Sequence, residues 1–519
     1  MKKIVLCCVT VGLMLSLILS ACGEEEEPKP AGKEGGRLQL SGGSNIANIG
    51  NPDEISNPGD AGYSFVCTEG LLILDSEGNL QPWLAESYEI APDGSSVTFD
   101  LRKGVKFHDD TDFNAEAVKV NIDIQIATQA WPNLKTVESC EVLGDYKVRM
   151  NFVDGKMDWV ALKSLAYFFS CRMFSPTFLQ ENTAEYKRSH VIGTGPFKLV
   201  DYQRDLVIKY DRFDDYWRGR PYLDGVDIKI IPDTTTALLA FKSGELHTLG
   251  IQAKDAQDII DSGYEVITFT ESVWNIALIG DSTNPDSPWA DIRVRRALEH
   301  AIDKQSIVDG LTYGYGSVSN QVWIEGQACY APDVVGYPYD PEKAKALLAE
   351  AGYPNGFTTE VLMVDVMPLD WITVVQDQVK EVGIIMEFNR VSMPQLSFQV
   401  GGSEGAGWEG LAIGVAISGP TSDPGSSLKN GPINDRTTWI STEQPQELID
   451  LAHEAASMLD QDKRMEIYRE ISKKMTDKYA MWSFLYYSSG IQAFAPELKG
   501  HTVGQGTESY PYSFAYLEE

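Results

Sequence analysis

Alternating apolar and polar residues recur along the chain, and this spacing places successive side chains on opposite faces of a strand. The runs that predict strands are residues 37–40, 97–101, 147–152, 197–202, 206–210, 226–231, 263–269, 384–391 and 480–487. Apolar residues spaced three and four apart predict helices at residues 115–126, 234–243, 291–305, 340–352, 373–382, 445–456 and 463–479. Strands and helices interleave, so the pattern predicts an α/β fold.

Capping residues mark the ends of several predicted helices. Asn114 is a candidate N-cap for the helix at 115–126. Asp340 and Pro341 open another helix as N-cap and first helical residue, and Gly352 ends it. The helix at 291–305 is predicted to run unbroken.

A glycine-proline turn interrupts the strands in the middle of the chain. Residues 193–197 read Gly-Thr-Gly-Pro-Phe. Because glycine permits a positive φ and proline fixes its own, a tight turn is predicted at Gly193, Gly195 and Pro196. On spacing alone, an ordinary β-meander explains this stretch equally well.

Length and charge narrow the class of protein. The 519 residues suffice for about three domains. The formal net charge is −32, and such a surface repels phosphate backbones, so no nucleic-acid partner is expected. Solubility or salt adaptation is favoured over a specific cation site as the reason for this acidity.

The N-terminus predicts secretion. Lys2 and Lys3 precede an apolar run at residues 4–19, which is typical of a signal peptide and too short for a typical membrane span. The following Leu-Ser-Ala-Cys resembles the lipobox of bacterial lipoproteins. That resemblance implies a leader at 1–21, a lipid-modified, palmitate-bearing Cys22, and a linker at 22–36 that tethers the folded part to the cell membrane.

Four cysteines remain beyond Cys22. Cys140 and Cys171 could form a disulfide, and free buried thiols are an equal alternative. Neither the cysteines nor the histidines have metal-site spacing, so no metal is expected. The run His108-Asp109-Asp110 allows a cation site, but a solvated loop is favoured.

Several segments, taken in order, resemble one family. They are T-E-G-L at 68–71, residues 81–110 with Asp110 where the family has glycine, G-T-G-P-F at 193–197, D-I-R-V-R-R-A-L-E-H-A-I-D at 291–303 and Y-D-P-E-K-A-K-A-L-L-A-E-A-G-Y at 339–353. Together they resemble the extracytoplasmic solute-binding proteins of the peptide/nickel-binding family, family 5, of ABC importers.

This resemblance implies a two-lobed, type II periplasmic-binding-protein-like fold with an extra inserted α/β domain. The implied boundaries are residues 37–75, 193–271 and 488–519 for lobe I, 76–192 for the inserted domain, and 272–487 for lobe II. The chain is expected to be a monomer.

The implied function is that of a receptor, not an enzyme. It would close two lobes on a peptide or other small solute outside the cytoplasm and present it to ABC permease subunits, without a cofactor. The alternatives are a receptor for a non-peptide solute, such as an oligosaccharide or metal chelate, and a secreted glycan hydrolase. The hydrolase remains because a catalytic carboxylate pair needs proximity in space, not in sequence.

Candidate ligand contacts lie mainly in the second lobe. Trp408 and Trp439 lie among glycine, proline, asparagine and serine, where a large ring is expected to be exposed to a ligand. The full set is Trp274, Trp408, Asp423, Asn434, Trp439, Tyr486 and Tyr487. Core packing is the competing interpretation for the aromatic residues.

The family's peptide binders place an aspartate before a D-P or E-P step, where it pairs with the ligand's ammonium. In this sequence Pro420 stands at that position, and Asp423 is the carboxylate nearby. A buried ammonium without a partner costs several kcal/mol. The departure favours a largely neutral or sugar-like solute over a free-amine peptide, unless Asp423 or Glu409 reaches the ammonium.

Overall fold

The structure is a computed structural model of the full chain. It describes residues 32–43, 48–54, 62–75, 78–128, 134–167, 171–270, 273–365, 367, 369–401, 407–419, 423–429, 431–434, 438–503 and 512–518. The predicted leader, Cys22, most of the linker and Pro420 lie outside these residues. Among the described helices, none has the length and apolar character needed to cross a bilayer.

Strands and helices alternate as the apolar pattern predicts. The strands are β1 (Arg37–Gly42), β2 (Leu72–Leu74), β3 (Leu80–Pro82), β4 (Ala85–Ile90), β5 (Ser96–Leu101), β6 (Val137–Gly144), β7 (Lys147–Phe152), β8 (Phe197–Gln203), β9 (Val207–Arg212), β10 (Gly225–Ile230), β11 (Thr248–Gly250), β12 (Glu265–Phe269), β13 (Val273–Gly280), β14 (Gly316–Val318), β15 (Phe357–Val364), β16 (Ile384–Val391), β17 (Leu411–Ser418), β18 (Trp482–Ser488), β19 (Gly490–Phe494), β20 (Leu498–Lys499) and β21 (Tyr516–Leu517). The strands expected at 147–152 and 384–391 are confirmed with those bounds.

The described helices follow the predicted caps. They are α1 (Ala115–Thr128), α2 (Trp159–Tyr167), α3 (Pro176–Glu181), α4 (Ala184–Ser189), α5 (Thr234–Lys242), α6 (Ala253–Asp261), α7 (Ile292–Ala301), α8 (Lys304–Leu311), α9 (Pro341–Glu350), α10 (Asp370–Glu381), α11 (Met393–Val400), α12 (Pro424–Lys429), α13 (Gln446–Ser457) and α14 (Gln461–Lys473). The Asn114 side chain accepts the Ala117 N–H at 3.0 Å, and Asp340 accepts the Lys343 N–H at 2.9 Å, so both predicted caps are confirmed.

Lobe I contains two sheets. One has the order β1-β10-β9-β8, with β1 parallel to β10, and the other has the order β11-β19-β12. Helices α5 and α6 pack beside the second sheet through buried Phe241 and Ile259. β20 and β21 pair at the edge of this lobe, where Leu517 lies against Gly36.

An inserted segment follows β3 and contains β4–β7 with α1–α4. Its four strands form an antiparallel sheet in the order β4-β5-β7-β6. Alternate residues of β5 are buried, as the alternation predicts, and they share one apolar core with α1 and α2. The inserted segment returns to lobe I through the turn at Gly193.

Lobe II is built on a six-stranded sheet in the order β14-β18-β13-β17-β15-β16. Helices α7–α10 cover one face and α12–α14 cover the other, each over its own apolar core. The chain passes from the three-stranded sheet to the six-stranded sheet between β12 and β13, and it returns between β18 and β19. The sheets and their connections form the two-lobed fold that the resemblance implies.

The predicted turn at Gly193 is present, but its glycines are needed for a reason other than the predicted one. Neither Gly193 nor Gly195 has a positive φ, so that expectation is wrong. Glycine is needed because the turn passes close to another stretch of backbone. A Cβ on Gly193 would overlap the Cys67 carbonyl oxygen, and one on Gly195 would lie 2.7 Å from the Cys67 carbonyl carbon.

His108 holds this turn in place. Its Nε2 lies 2.9 Å from the Gly195 carbonyl oxygen, and its backbone N–H donates to Gly193 O at 2.9 Å. Burial lowers the pKa of the ring to about 4, so the neutral ring donates through Nε2. The solvated loop predicted for residues 108–110 is therefore found at Asp110, which is exposed and has a φ of 66°. It is not found at His108.

Two other expectations change. The helix expected at 291–305 is two helices, because Ile302 is extended and Asp303 caps α8 by accepting the Ser306 N–H at 3.2 Å. The four described cysteines, Cys67, Cys140, Cys171 and Cys329, are buried and form no disulfide with one another, so Cys140 and Cys171 are not bridged.

Candidate functional site

The lobe I wall of the site lies at the carboxyl ends of β1 and β10. Because these strands are parallel neighbours, both carboxyl ends reach the same edge, at Gly42 and Ile230. Helices α5 and α6 begin at this edge, around a cavity of 290 Å³. Ligands of open α/β sheets bind outside the carboxyl ends of strands, so this cavity is a candidate wall of a ligand site.

The cavity borders the point where the chain changes lobes. Gln252 and Ile251 contribute to its lining. The Ile251 N–H donates to Ile491 O at 3.0 Å, one residue after β19 begins. A ligand held here would therefore lie near the segment through which the chain returns to this sheet.

The lobe II wall is the end of the six-stranded sheet nearest the crossings. Val273 pairs with Ser418 there, so the start of β13 lies beside the end of β17. Trp274 is 62 % exposed at this end, and half-buried Tyr487 lies on the next strand opposite Asn275. A large exposed ring offers a flat apolar face to a ligand.

The other predicted tryptophans lie away from this end and inside the lobe II core. Trp408 is 6 % exposed and Trp439 is 9 % exposed, so the expected exposure of both rings is wrong. Their centroids are 5.9 Å apart, edge to face, and Trp439 packs in the same way on Trp482 at 5.3 Å. The composition of these loops did not predict the burial of the two rings, because the loops fold back over the sheet.

Trp439 also has an unusual backbone. Its φ is 51°, a left-handed conformation that is rare for a bulky residue. The Nε1 atoms of Trp408 and Trp482 are buried and have no hydrogen-bond partner among the described residues. The cluster is thus locked by packing rather than by polar contacts.

Asp423, the carboxylate nearest the family's ammonium position, is fully buried and paired with an arginine. Arg464 Nη2 lies 2.8 Å and 2.6 Å from its two oxygens, and the Gly425 N–H donates at 2.8 Å. Lys163 Nζ, from α2, is 4.0 Å from Oδ2. Burial alone would raise the pKa of Asp423, but Arg464 and Lys163 outweigh it and hold that pKa below its ordinary value.

Glu409 lies at the opposite end of the sheet. It precedes Leu411, which pairs with Gly280 at the far end of β13 from Trp274. Seven residue steps along β13 separate Val273 from Gly280, or about 23 Å at 3.3 Å per step. Glu409 therefore does not reach a ligand placed beside Trp274.

Asn434 and Tyr486 occupy two further environments. Asn434 is buried, donates to Gly431 O at 2.6 Å, and lines a cavity of 490 Å³ between lobe II and the inserted segment. Tyr486 is 9 % exposed and packs on Trp371, and burial raises its pKa to about 12. Of the predicted set, Trp274 and Tyr487 lie at the same end of the sheet but on opposite faces, because Tyr487 pairs with Asn275. Trp408 and Trp439 pack together in the core.

Sequence reasoning missed Lys163. It is the basic residue of the otherwise apolar helix α2, and that position in the sequence was the available signal. No group of three or more His, Cys, Asp or Glu side chains within the described ranges is placed to ligate a metal.

The chain resembles known proteins over most of its length. Residues 79–428 match the family model described as bacterial extracellular solute-binding proteins, family 5 Middle. Heme-binding protein A of Haemophilus influenzae is 29 % identical, with 82 % of each chain covered. Oligopeptide-binding protein AppA of Bacillus subtilis is 26 % identical, with 96 % of each chain covered.

A solved structure has the same fold. The periplasmic binding protein DppA of Helicobacter pylori, in complex with the peptide STSA, superposes with a TM-score of 0.79 at 22 % identity, covering 94 % of this chain and 99 % of that one. The family model spans more than half of this chain. The chain therefore belongs to the bacterial extracellular solute-binding proteins of family 5, and it is the ligand-binding component of an importer.

Proposed function

We propose that the chain is a lipid-anchored receptor without enzymatic activity, which captures a small solute between its lobes and delivers it to ABC permease subunits. The observation that carries this proposal is the exposed Trp274 ring at the end of the six-stranded sheet where the chain enters it, together with the cavity at the carboxyl ends of β1 and β10. A ligand there would contact both lobes, and closure would follow from its stronger contacts in the closed form.

The proposed domain boundaries follow from the crossings. Lobe I would comprise residues 37–75, 193–271 and 488–519, the inserted domain residues 76–192, and lobe II residues 272–487. The membership of β12 and β19 in one sheet, and of β13 and β18 in another, supports the two boundaries between the lobes.

We propose a ligand that does not depend on a free ammonium held by lobe II. Asp423 is already paired with Arg464, and Glu409 lies at the far end of the sheet. A largely neutral or sugar-like solute, or an unusual peptide, fits this wall better than a free-amine peptide. The relatives named above bind heme, oligopeptides and the peptide STSA, so the family's fold accommodates chemically different ligands.

Calorimetry against peptide and oligosaccharide panels tests the ligand and the site together. Trp274→Ala should weaken binding about tenfold or more, because a stacking ring is lost, while the melting temperature stays unchanged. Trp439→Ala should lower the melting temperature instead, because its ring is buried. Leu206→Ala, at an exposed lobe I residue, is the control. Tight binding of free-amine peptides that ignores Trp274→Ala would contradict the proposal.

The glycan hydrolase is the competing function. Carboxylates are abundant, but no observation of the described residues favours a catalytic pair. Release of sugar from a panel of glycosides by the purified chain would favour the hydrolase over the receptor.

The lipid anchor is tested at Cys22. Cys22→Ser should abolish lipidation and release the protein from membranes or stall its processing. Metabolic labelling with a palmitate analogue, followed by membrane fractionation, measures both effects. Undiminished labelling and retention of the variant would refute the anchor.

A further inference from the structure

Lys163 is a basic side chain that is mostly buried. It lies on α2 of the inserted segment, and its side chain is only 14 % exposed. It lines a cavity of 230 Å³ together with lobe II residues that include Gln327, Cys329 and Arg464. An ammonium group that has lost most of its water is stabilised by a partner of opposite charge.

The nearest carboxylate does not fully supply that partner. Lys163 Nζ is 4.0 Å from Asp423 Oδ2, beyond hydrogen-bond distance, and Asp423 is already bound by Arg464 and the Gly425 N–H. In the described part of the chain, the Lys163 amino group donates no hydrogen bond. Among the described residues, two cations thus share one buried carboxylate, which leaves one positive charge uncompensated there.

The charged groups around Lys163 also indicate an excess of positive charge. Burial lowers the pKa of Lys163, and Arg464 lowers it further, whereas Asp423 and the more distant Asp75 oppose the shift. The acid in the cavity lining, Asp462, is exposed to solvent at the start of α14. An incoming anion would therefore gain more here than the residues present now provide.

The cavity adjoins the candidate ligand wall. Gln327, in its lining, donates to the Gly419 carbonyl oxygen at 2.8 Å. Gly419 directly follows β17, whose last residue pairs with Val273 beside Trp274. The uncompensated charge thus lies next to the end of the sheet where the chain changes lobes.

We infer that Lys163 forms an anion-binding corner of the ligand site, so that the solute carries a carboxylate, or a group of similar size and charge, on an otherwise neutral body. The inference rests on the proposed function and names the charge of its ligand. Where the family's peptide binders place an aspartate for an ammonium, this chain has Pro420 in the sequence, and Lys163 lies 4.0 Å from Asp423, three residues further along the chain. The ligand's charge preference is inverted accordingly.

Three matched tetrapeptides test the inference by calorimetry on the full purified chain. N-acetyl-tetraalanine carries only a carboxylate, tetraalanine amide carries only an ammonium, and N-acetyl-tetraalanine amide is neutral. The first should bind at least about tenfold more tightly than the other two, because a desolvated charge pair forms. Lys163→Met should abolish that preference, and Lys163→Arg should keep it. Lys135→Met, at an exposed lysine of the same segment, is the control.

Stability without ligand separates a binding role from a structural one. Lys163→Met should keep or raise the unliganded melting temperature, because it removes a charge that repels Arg464. A lower melting temperature with an unchanged preference would make Lys163 a structural partner of Asp423 and overturn the inference. Inorganic phosphate that protects the chain as strongly as the acid peptide would indicate a bare anion site and overturn the ligand assignment.

If no tetrapeptide binds, the solute retained by the chain from the producing cells decides the question. Mass spectrometry should find an acidic solute that Lys163→Met no longer retains. A retained solute without an acidic group, or one kept equally by the variant, overturns the inference and leaves the receptor function standing. The absence of both binding and retention would refute the receptor function itself, and the inference with it.

Discussion

The Glu69 carboxylate is fully buried where the inserted segment meets lobe I, and four side chains donate to it. Oε1 accepts from Trp83 Nε1 at 2.8 Å and Tyr216 OH at 2.9 Å, and Oε2 accepts from Thr194 Oγ1 at 2.7 Å and Trp217 Nε1 at 3.0 Å. Burial raises the pKa of this carboxyl, and the four donors oppose that shift. One side chain thus connects β3, the Gly193 turn and the segment after β9.

Glu69→Gln should destabilise the protein by about 1–3 kcal/mol. Each oxygen faces one indole N–H, which cannot accept a hydrogen bond, so the amide NH₂ leaves an indole unpaired in either orientation. Urea unfolding monitored by tryptophan fluorescence measures the loss. Equal stability of the variant and the parent would show that the network contributes nothing net.

His108 makes stability depend on pH. Its pKa is lowered from 6.5 to about 4, mainly by burial, so below pH 6.5 the unfolded chain binds a proton that the folded chain does not. Stability should therefore fall as pH drops from about 6.5 to 4, by about 2 kcal/mol, less than the full shift implies because the ring is partly exposed.

The control for this prediction is the difference between the parent and His108→Gln. The variant should be less stable at pH 7 and lose less stability on acidification, measured by thermal melts at several pH values. The difference is needed because burial also lowers the pKa values of His247 and His501, which add to the same slope. Parallel profiles for both proteins would count against the assignment to His108.

Sequence reasoning at this scale succeeded where the signal is local and failed where it depends on what packs nearby. Asn114 and Asp340 were recognisable because a cap bonds within its own turn. The burial of Trp408 and Trp439 depends on loops folding over a sheet, and composition does not encode that. The pairing of Asp423 with Arg464 joins residues 41 positions apart and was invisible for the same reason.

At the scale of elements, the Gly193 turn and helix α8 offer a matched pair of glycines. Gly193→Ala should destabilise the protein by about 2–3 kcal/mol, because its Cβ would overlap the Cys67 carbonyl oxygen. Gly310→Ala, in α8 with nothing within 4 Å of its Cβ, should stabilise by about 0.5–1 kcal/mol through helix propensity. Chemical denaturation of both variants measures the contrast, and similar effects would contradict the close-approach argument.

Helices and strands were predictable because the spacing of apolar residues is regular. Their ends were less predictable, because they depend on single capping residues and on local changes in the backbone. The single helix expected at 291–305 overlooked Asp303, a capping residue that starts α8. The helix expected at 463–479 ends its regular part at Lys473 and continues as a π-turn at Lys474–Lys478. In both cases the apolar period continues across a break in the backbone.

At the scale of the whole molecule, ligand binding should bring the lobes together. Spin labels at Leu239 in lobe I and Val335 in lobe II, both exposed, should report a changed distance by pulsed resonance when the retained solute is added. Labels at Leu206 and Leu239, both in lobe I, should report no change. The four described native thiols are buried and should stay unlabelled. An unchanged distance between the lobes would argue against closure.

The overall architecture was predictable only through the order of several motifs. Periodicity predicted α/β elements, but it did not group them into lobes, because strands paired in one sheet come from distant stretches such as β1 and β10. The cavity lined by Lys163 was still harder to predict from the sequence. It combines residues from the inserted segment and lobe II that no local pattern connects.

The contact between Gly36 and Leu517 brings the first and last described segments of the chain together on lobe I. Gly35 N–H also donates to Tyr222 O at 2.8 Å, and Glu518 N–H donates to Glu497 O at 2.8 Å, so both segments are fixed there. The two ends of the described chain therefore lie close together. A circular permutant could join residue 518 to residue 32 and open in an exposed loop of lobe II. It would keep the strand pairings, and its new N-terminus would move the point of the proposed lipid attachment to the other lobe.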